Sequence, residues 1–248
     1  MLHLTDLSPR NDRSSMHPAD WRQHFATLAA TARDPRLKNF YAQGAPAGDS
    51  PLHQVPMAAL DVETTGLDPL QDGIVSIGIV PMTMTHIQSS LSRYWVVRPP
   101  VELTPESVTI HAITHAQIET APTLESVLDE VLQALAGRII IVHCSDIERR
   151  FLNAYLKNRL GEGIQFPVID TMELEARLYR KPPGLWARLF GSRTPPTSIR
   201  LNASRARYGL PRYRSHHALT DALACAELLQ AQVAHRFSVQ TPLRELWS

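Results

Sequence analysis

ALDVETTGLD, residues 59–68, decides the reading of this chain. Ala59, Leu60 and Val62 belong to a buried strand, yet Asp61 and Glu63 stand among them. Strand residues two apart point to one face, so both carboxylates aim together, beside Met57 and Ala59. Leu60 and Val62 face the other way. Two adjacent carboxylates repel and raise each other's pKa. The neighbouring sequence offers no arginine or lysine to pair with them. Solvated edge carboxylates are the bland alternative; a divalent cation resolves the repulsion directly. Thr64, Thr65 and Gly66 follow, a tripeptide suited to close backbone approach to a ligand.

Working outward, two more stretches repeat the oddity. In HCSDIERRFL (143–152) a helical reading puts Glu148 on the face of Phe151, Leu152 and Tyr155. Asp146 then lies on the wet face and reads as the helix N-cap. In HHALTDALACAELL (216–229) Asp221 shares a face with Ala218, Ala224, Cys225 and Leu228, and His216 precedes that helix. Four acids on otherwise apolar faces suggest one shared site. Oxygen-only ligands select Mg²⁺ or Mn²⁺ over zinc. Two such ions about 4 Å apart are a usual device for phosphodiester cleavage. His216 is then the candidate general base, since imidazole titrates near neutral pH.

The rest of the chain supplies a frame. It has 248 residues, 44% hydrophobic and 20% charged, with a formal net charge of +1. That length packs one large domain with appendages. The near-zero charge gives no global case for nucleic acid or membrane, so a charged partner needs a local patch. Cys144 and Cys225 make neither a disulfide framework nor a zinc knuckle. No run reaches the ~18 apolar residues of a membrane span, and the N-terminus lacks a signal-peptide shape, so a cytoplasmic location is expected.

Three strands are expected at 56–63, 73–80 and 92–97, joined by short turns and hence antiparallel. Further strands are read at 138–143 and 165–170. Helices are read at 17–34, 123–137, 146–161, 172–179, 201–209 and 217–237, with Gly137 and Gly161 as stops. The order predicts an α/β fold, a mixed five-stranded sheet with helices on both faces. The expected division is a tail, amphipathic helix and linker over 1–54, a domain over 55–237 and a tail over 238–248. The 17–34 helix is expected to pack on the domain, and Trp247 to dock the tail.

The motif set Asp-x-Glu-Thr-Thr-Gly, an acid within VHxxxxE/DxxFL, then His-x-Ala-x-x-Asp resembles the DEDDh (DnaQ-like) 3′–5′ exonucleases. That group includes the proofreading subunit of bacterial replicative DNA polymerase. The match covers residues 56–235. It implies a ribonuclease-H-like fold and two-metal hydrolysis of a 3′-terminal phosphodiester to nucleoside monophosphates. By position, the resemblance makes Asp61, Glu63, Glu148 and Asp221 the metal ligands and His216 the base. VTIHAITH resembles the family's His-Gly-Ile-Thr stretch and places His111 at the terminal nucleotide. The chain departs from the pattern where Cys144, Ile147 and Glu148 stand for the usual Asn, Phe and Asp, and Ala112 for Gly.

Between Glu175 and Asp221 there is no acid, while ten basic residues run from Arg177 to Arg214. A solvated basic loop is one reading. The other is a phosphate-binding flank that includes Arg205, Arg207 and Arg212. A short single-stranded 3′ end fits the overall neutrality better than a long duplex. Within this interval, residues 182–196 form an amphipathic turn bracketed by prolines, expected to cover the core. DNA is the first choice of substrate, from the resemblance, with a polymerase or repair partner among its implications. The rivals are a ribonuclease of the same fold trimming short RNA ends, and a non-catalytic nucleic-acid-binding scaffold.

Overall fold

The central strand of the fold is β1 (Met57–Thr64). A computed structural model describes residues 18, 20–103, 111–180 and 197–247. The expected tail 1–16, residues 182–196 and the start of VTIHAITH lie outside the described residues. β1 pairs antiparallel with β2 (Ile74–Met82), which pairs antiparallel with β3 (Arg93–Val96). On its other side β1 is parallel to β4 (Ile139–Val142), followed by parallel β5 (Val168–Asp170). The sheet order is β3-β2-β1-β4-β5, the mixed five-stranded sheet expected. Short turns suffice for the antiparallel strands, while each parallel step needs a helical crossover.

The helices among the described residues are α1 (Trp21–Thr31), α2 (Pro35–Ala42), α3 (His115–Thr120) and α4 (Leu124–Leu135). They continue with α5 (Ser145–Leu160), α6 (Thr171–Tyr179), α7 (Leu201–Arg207) and α8 (Ala218–Arg236). Strand alternation splits the core into two layers. Leu60, Val62, Ile77, Ile79, Ile140 and Val142 pack under α4 and α5. Met57, Ala59, Val80, Met82, Ile139 and Ile141 pack under α8. Asp61 and Glu63 continue the Met57–Ala59 row, so they emerge on the α8 side, as the period of two requires.

The N-terminal helices join the first layer through Trp21, Phe25, Leu37, Phe40 and Tyr41. Phe25 meets Tyr41 edge-on at 5.2 Å between centroids, and the Tyr41 hydroxyl accepts from the Gln165 amide at 3.0 Å. Each such aromatic contributes about 1.5–3 kcal/mol by burial alone. The C-terminal segment closes the other layer: Leu243 and Leu246 are buried, and Trp247 bridges to Ile169.

Two local readings are corrected. α5 begins at Ser145, so Asp146 lies in its first turn and is not the cap. The Asp170 carboxylate does that work, accepting from the amides of Cys144 at 3.2 Å and Ser145 at 2.8 Å. It also caps α6, accepting from Met172 and Glu173. The second difference is two helices not expected from the sequence, α2 beyond the 17–34 helix and the short α3. Its Thr114–Gln117 capping box is a legible start signal, but the helix has only six residues. No described helix is long and apolar enough to cross a membrane.

Candidate active site and metal centre

β1 delivers Asp61 and Glu63, and β2 makes room above them. Gly78 pairs with Asp61 across the ladder. A Cβ at Gly78 would lie 2.4 Å from the backbone of Ala218 and Leu219. The first turn of α8 therefore rests directly on the sheet, which brings Asp221 over β1. Carboxylate oxygens of Asp61, Glu63 and Asp221 all lie within 4.8 Å of one another. Among the described residues, none of the three forms an ion pair with arginine or lysine. Burial, then the charges of Glu63, Glu148 and Asp221, pushes Asp61 well above the usual carboxylate range. Asp221 is raised by burial first, with Glu63 adding to it.

Glu148 points inward from α5 and is 2% exposed, while Asp146 is exposed. Glu148 Oε2 is buried without a hydrogen-bond partner. Burial holds this carboxyl well above its usual range, and Asp170 and Asp146 add repulsion. Glu148 contributes to the field on Asp61 but stands outside the 4.8 Å group. An orphaned buried acid oxygen beside three mutually close carboxylates fits a hard divalent cation. The donor set suits Mg²⁺ or Mn²⁺ better than a thiophilic metal.

His216 precedes α8 at φ 67°, in the left-handed region, with an exposed side chain. Its amide donates to Asp221 Oδ2 at 2.7 Å, which ties the two candidate residues together. His111 lies on the other flank, with Nε2 2.9 Å from the Thr64 carbonyl and Nδ1 2.5 Å from Glu63 Oε2. The next residue, Ala112, has φ 56°, and Cys144 beside α5 has φ 110°. Non-glycine residues at positive φ are strained, and here they flank the acids. Burial raises the pKa of the Cys144 thiol above its usual value.

Thr64, Thr65 and Gly66 shape the loop after β1. Thr64 Oγ donates to the Gly66 carbonyl at 2.6 Å. Thr65 Oγ donates to Asp72 and accepts from the Gly73 amide, both at 3.0 Å. A Cβ on Gly66 would meet the Asp72 carboxylate at 2.4 Å.

The expected basic flank divides. Arg205 is buried, donating to the carbonyls of Ala224 at 2.6 Å and Pro211 at 2.9 Å and to Glu227 at 2.7 Å. Arg207 is bound to Glu175 and to the Ser198 carbonyl. The structure thus corrects the phosphate-flank reading for both: the donors of Arg205 serve the interior, and those of the exposed Arg207 are taken up by buried Glu175 and the Ser198 carbonyl. Arg212 is exposed, on the loop that leads to His216.

Sequence reasoning missed four features. Gly78 is legible as a glycine inside a buried strand, which marks a close backbone approach. Asp170 could be read as an acid at a strand–helix junction. The His217 ring stacks on Tyr94 at 4.6 Å between centroids and 20° between planes, across two distant segments. His143, half-buried, is held between the Thr171 hydroxyl and the Ile199 carbonyl, another contact without a local signal.

The family model for exonucleases of the RNase T type matches residues 58–229. The chain belongs to the RNase T exonuclease family. The nuclease domain of 3′hExo, described as a DEDDh family member bound to rAMP, superposes with a TM-score of 0.59 at 19% identity. The match covers 73% of this chain and 92% of that one, and the fold is thus ribonuclease-H-like. The PolC-type DNA polymerase III of Thermotoga petrophila is 31% identical over 180 residues, 73% of this chain. This chain spans only 12% of that polymerase's length. The DNA polymerase III subunit epsilon of Treponema pallidum is 26% identical over 181 residues, covering 73% of this chain and 78% of that one.

Proposed function

We propose that the chain is a metal-dependent 3′–5′ exonuclease that removes nucleoside monophosphates from single-stranded 3′ ends, DNA first. The observation that carries this reading is the convergence of Asp61, Glu63 and Asp221 within 4.8 Å, with buried Glu148, its Oε2 without a hydrogen-bond partner, adjoining Asp61. Catalysis is assigned to residues 55–237, and the described flanking segments close its core. Asp61, Glu63, Glu148 and Asp221 would hold two divalent ions, Mg²⁺ or Mn²⁺. Such ions, when bound, lower the pKa of an attacking water and stabilise charge on the leaving oxygen. His216 takes the proton from that water as its oxygen attacks phosphorus. The bond from phosphorus to the 3′ oxygen of the preceding nucleotide breaks, and that oxygen collects a proton from solvent. The amide of His216 keeps Asp221 oriented meanwhile. His111 and the Thr64–Gly66 loop border the space left for the terminal nucleotide, and Arg212 meets a phosphate. The polymerase relatives make a replication or repair assembly the partner class to test.

The test uses DNA and RNA oligomers labelled at one end, with Mg²⁺ or Mn²⁺, for wild type, His216→Ala and Asp61→Ala. Expected are stepwise 3′ shortening of DNA, an Asp61→Ala protein that is inert, and a His216→Ala rate lower by about two to four orders of magnitude. Faster loss of RNA ends would turn the reading to a ribonuclease. Wild type as inert as Asp61→Ala would leave a non-catalytic scaffold.

A further inference from the structure

Glu63, His111 and His216 form a second group whose ligand atoms all lie within 4.8 Å of one another. It includes two imidazoles, which hard cations do not favour. Its inner wall has a specific electrostatic defect. The Thr64 carbonyl can only accept, so His111 Nε2 carries the proton that it donates at 2.9 Å. In the neutral ring, Nδ1 then presents a lone pair. That atom is buried and makes no hydrogen bond, yet it lies 2.5 Å from Glu63 Oε2. Two acceptors at this separation repel unless positive charge joins them. A proton on Nδ1 would supply charge, but the pair is not aligned as a hydrogen bond. A cation bound to both atoms relieves the contact.

The surroundings match what a metal-binding histidine needs. A backbone carbonyl accepting from the far ring nitrogen fixes the tautomer and the ring plane. Thr64 does this for His111 from the end of β1, whose own side chain at Glu63 supplies the second ligand. His216 supplies the third: its ring lies 6.3 Å from that of His111, centre to centre and inclined by 68°. Two nitrogens and one oxygen are a donor set of zinc bound by three protein ligands.

We propose that Glu63, His111 and His216 bind one borderline divalent cation, zinc foremost, and that its binding inhibits the exonuclease. Inhibition follows from shared parts. The cation takes the lone pair of His216 that the hydrolysis uses for proton removal, and it withdraws Glu63 from the acidic group. This consequence rests on the nuclease reading; the site itself does not.

Cobalt(II) is the probe, since four-coordinate cobalt absorbs far more strongly in the visible than the six-coordinate ion. Full-length wild type, His111→Gln and His216→Asn are titrated with cobalt chloride, after circular dichroism confirms folding. A strong band is expected in wild type, displaced by one equivalent of zinc but not by a thousandfold excess of Mg²⁺, and lost in both variants. In Mg²⁺-supported hydrolysis, the zinc concentration that halves the rate should rise at least tenfold in His111→Gln relative to its own uninhibited rate. Only a weak six-coordinate spectrum in wild type, or a strong band that survives in both variants, would overturn the site and show that a proton balances Glu63. Wild type with the cobalt band but no hydrolysis of any labelled end would defeat the nuclease reading and uphold the site. Hydrolysis without the band would defeat the site alone.

Discussion

At the scale of single residues, Glu148 and Asp146 share one helical turn and nearly one charge, yet their surroundings separate them. Glu148 is enclosed with one oxygen unsatisfied; Asp146 meets water. An unpaired buried charge costs several kcal/mol, so a cation is its natural counterweight. Glu148→Gln should cut the exonuclease rate by at least a hundredfold, whereas Asp146→Asn should alter it less than threefold, both read from labelled 3′ ends. The opposite ranking would place the cation on the wrong acid. The inward aim of Glu148 was legible, because helical spacing alone puts it with Phe151, Leu152 and Tyr155. The capping role given to Asp146 was not correct, because the true cap, Asp170, comes from another strand 25 residues away from Ser145.

Among elements, the approach of α8 to the sheet sets the site. Asp221 sits on the first turn, so any lift of that turn moves its carboxylate away from Asp61. Gly78→Ala would force such a lift, since its Cβ meets backbone that cannot rotate aside. A displacement of ~1 Å costs about a hundredfold in a positioned reaction. The expected result is a kcat lowered by that order with KM changed much less; an unchanged kcat would show that α8 tolerates the shift. The loop between α7 and α8 has a different device. Arg205 lies against the Tyr213 ring at 4.6 Å and, with the Tyr213 hydroxyl, holds Glu227. Arg205→Met should therefore lower the urea midpoint while leaving the salt slope of substrate binding intact. Arg212→Ala should leave stability alone and flatten the slope by roughly one phosphate's share. Equal effects of the two variants on the salt slope would restore Arg205 to the substrate. A run of basic residues announces charge, but not whether each guanidinium faces water or a carbonyl. That is why Arg205 and Arg207 misled and the strands did not.

For the whole molecule, a buried polar layer under α6 and α8 links stability to pH. Glu175 is fully buried and binds Arg207, Arg236, Gln232 and Tyr208. Nearby, desolvation lowers His143 to about 4, against the pull of Asp170 and Glu175 and with the Arg207 charge adding to the depression. An unfolded histidine protonates near 6.5, so between these values the unfolded chain holds the extra proton. This contribution is complete above pH ~6.5 and declines as pH falls towards 4, by up to about 3 kcal/mol. His143→Gln should weaken the fall in urea midpoint over that window relative to wild type. Parallel curves for the two proteins would remove His143 from the linkage.

The strands and both helical layers follow from periods of two and 3.6, which is why they could be read from one chain. Contacts that join distant segments, such as Tyr94 with His217 or His143 with Ile199, leave no such period.

The central claim is that Asp61, Glu63, Glu148 and Asp221 tolerate one another because divalent cations lie between them. Anomalous diffraction at the manganese edge, from crystals grown in Mn²⁺ with a nucleoside monophosphate, tests it most directly. Two peaks about 4 Å apart, each bound by oxygens of these four residues, are predicted. Density without a peak there, the four carboxyls turned apart or held by arginines, would contradict it.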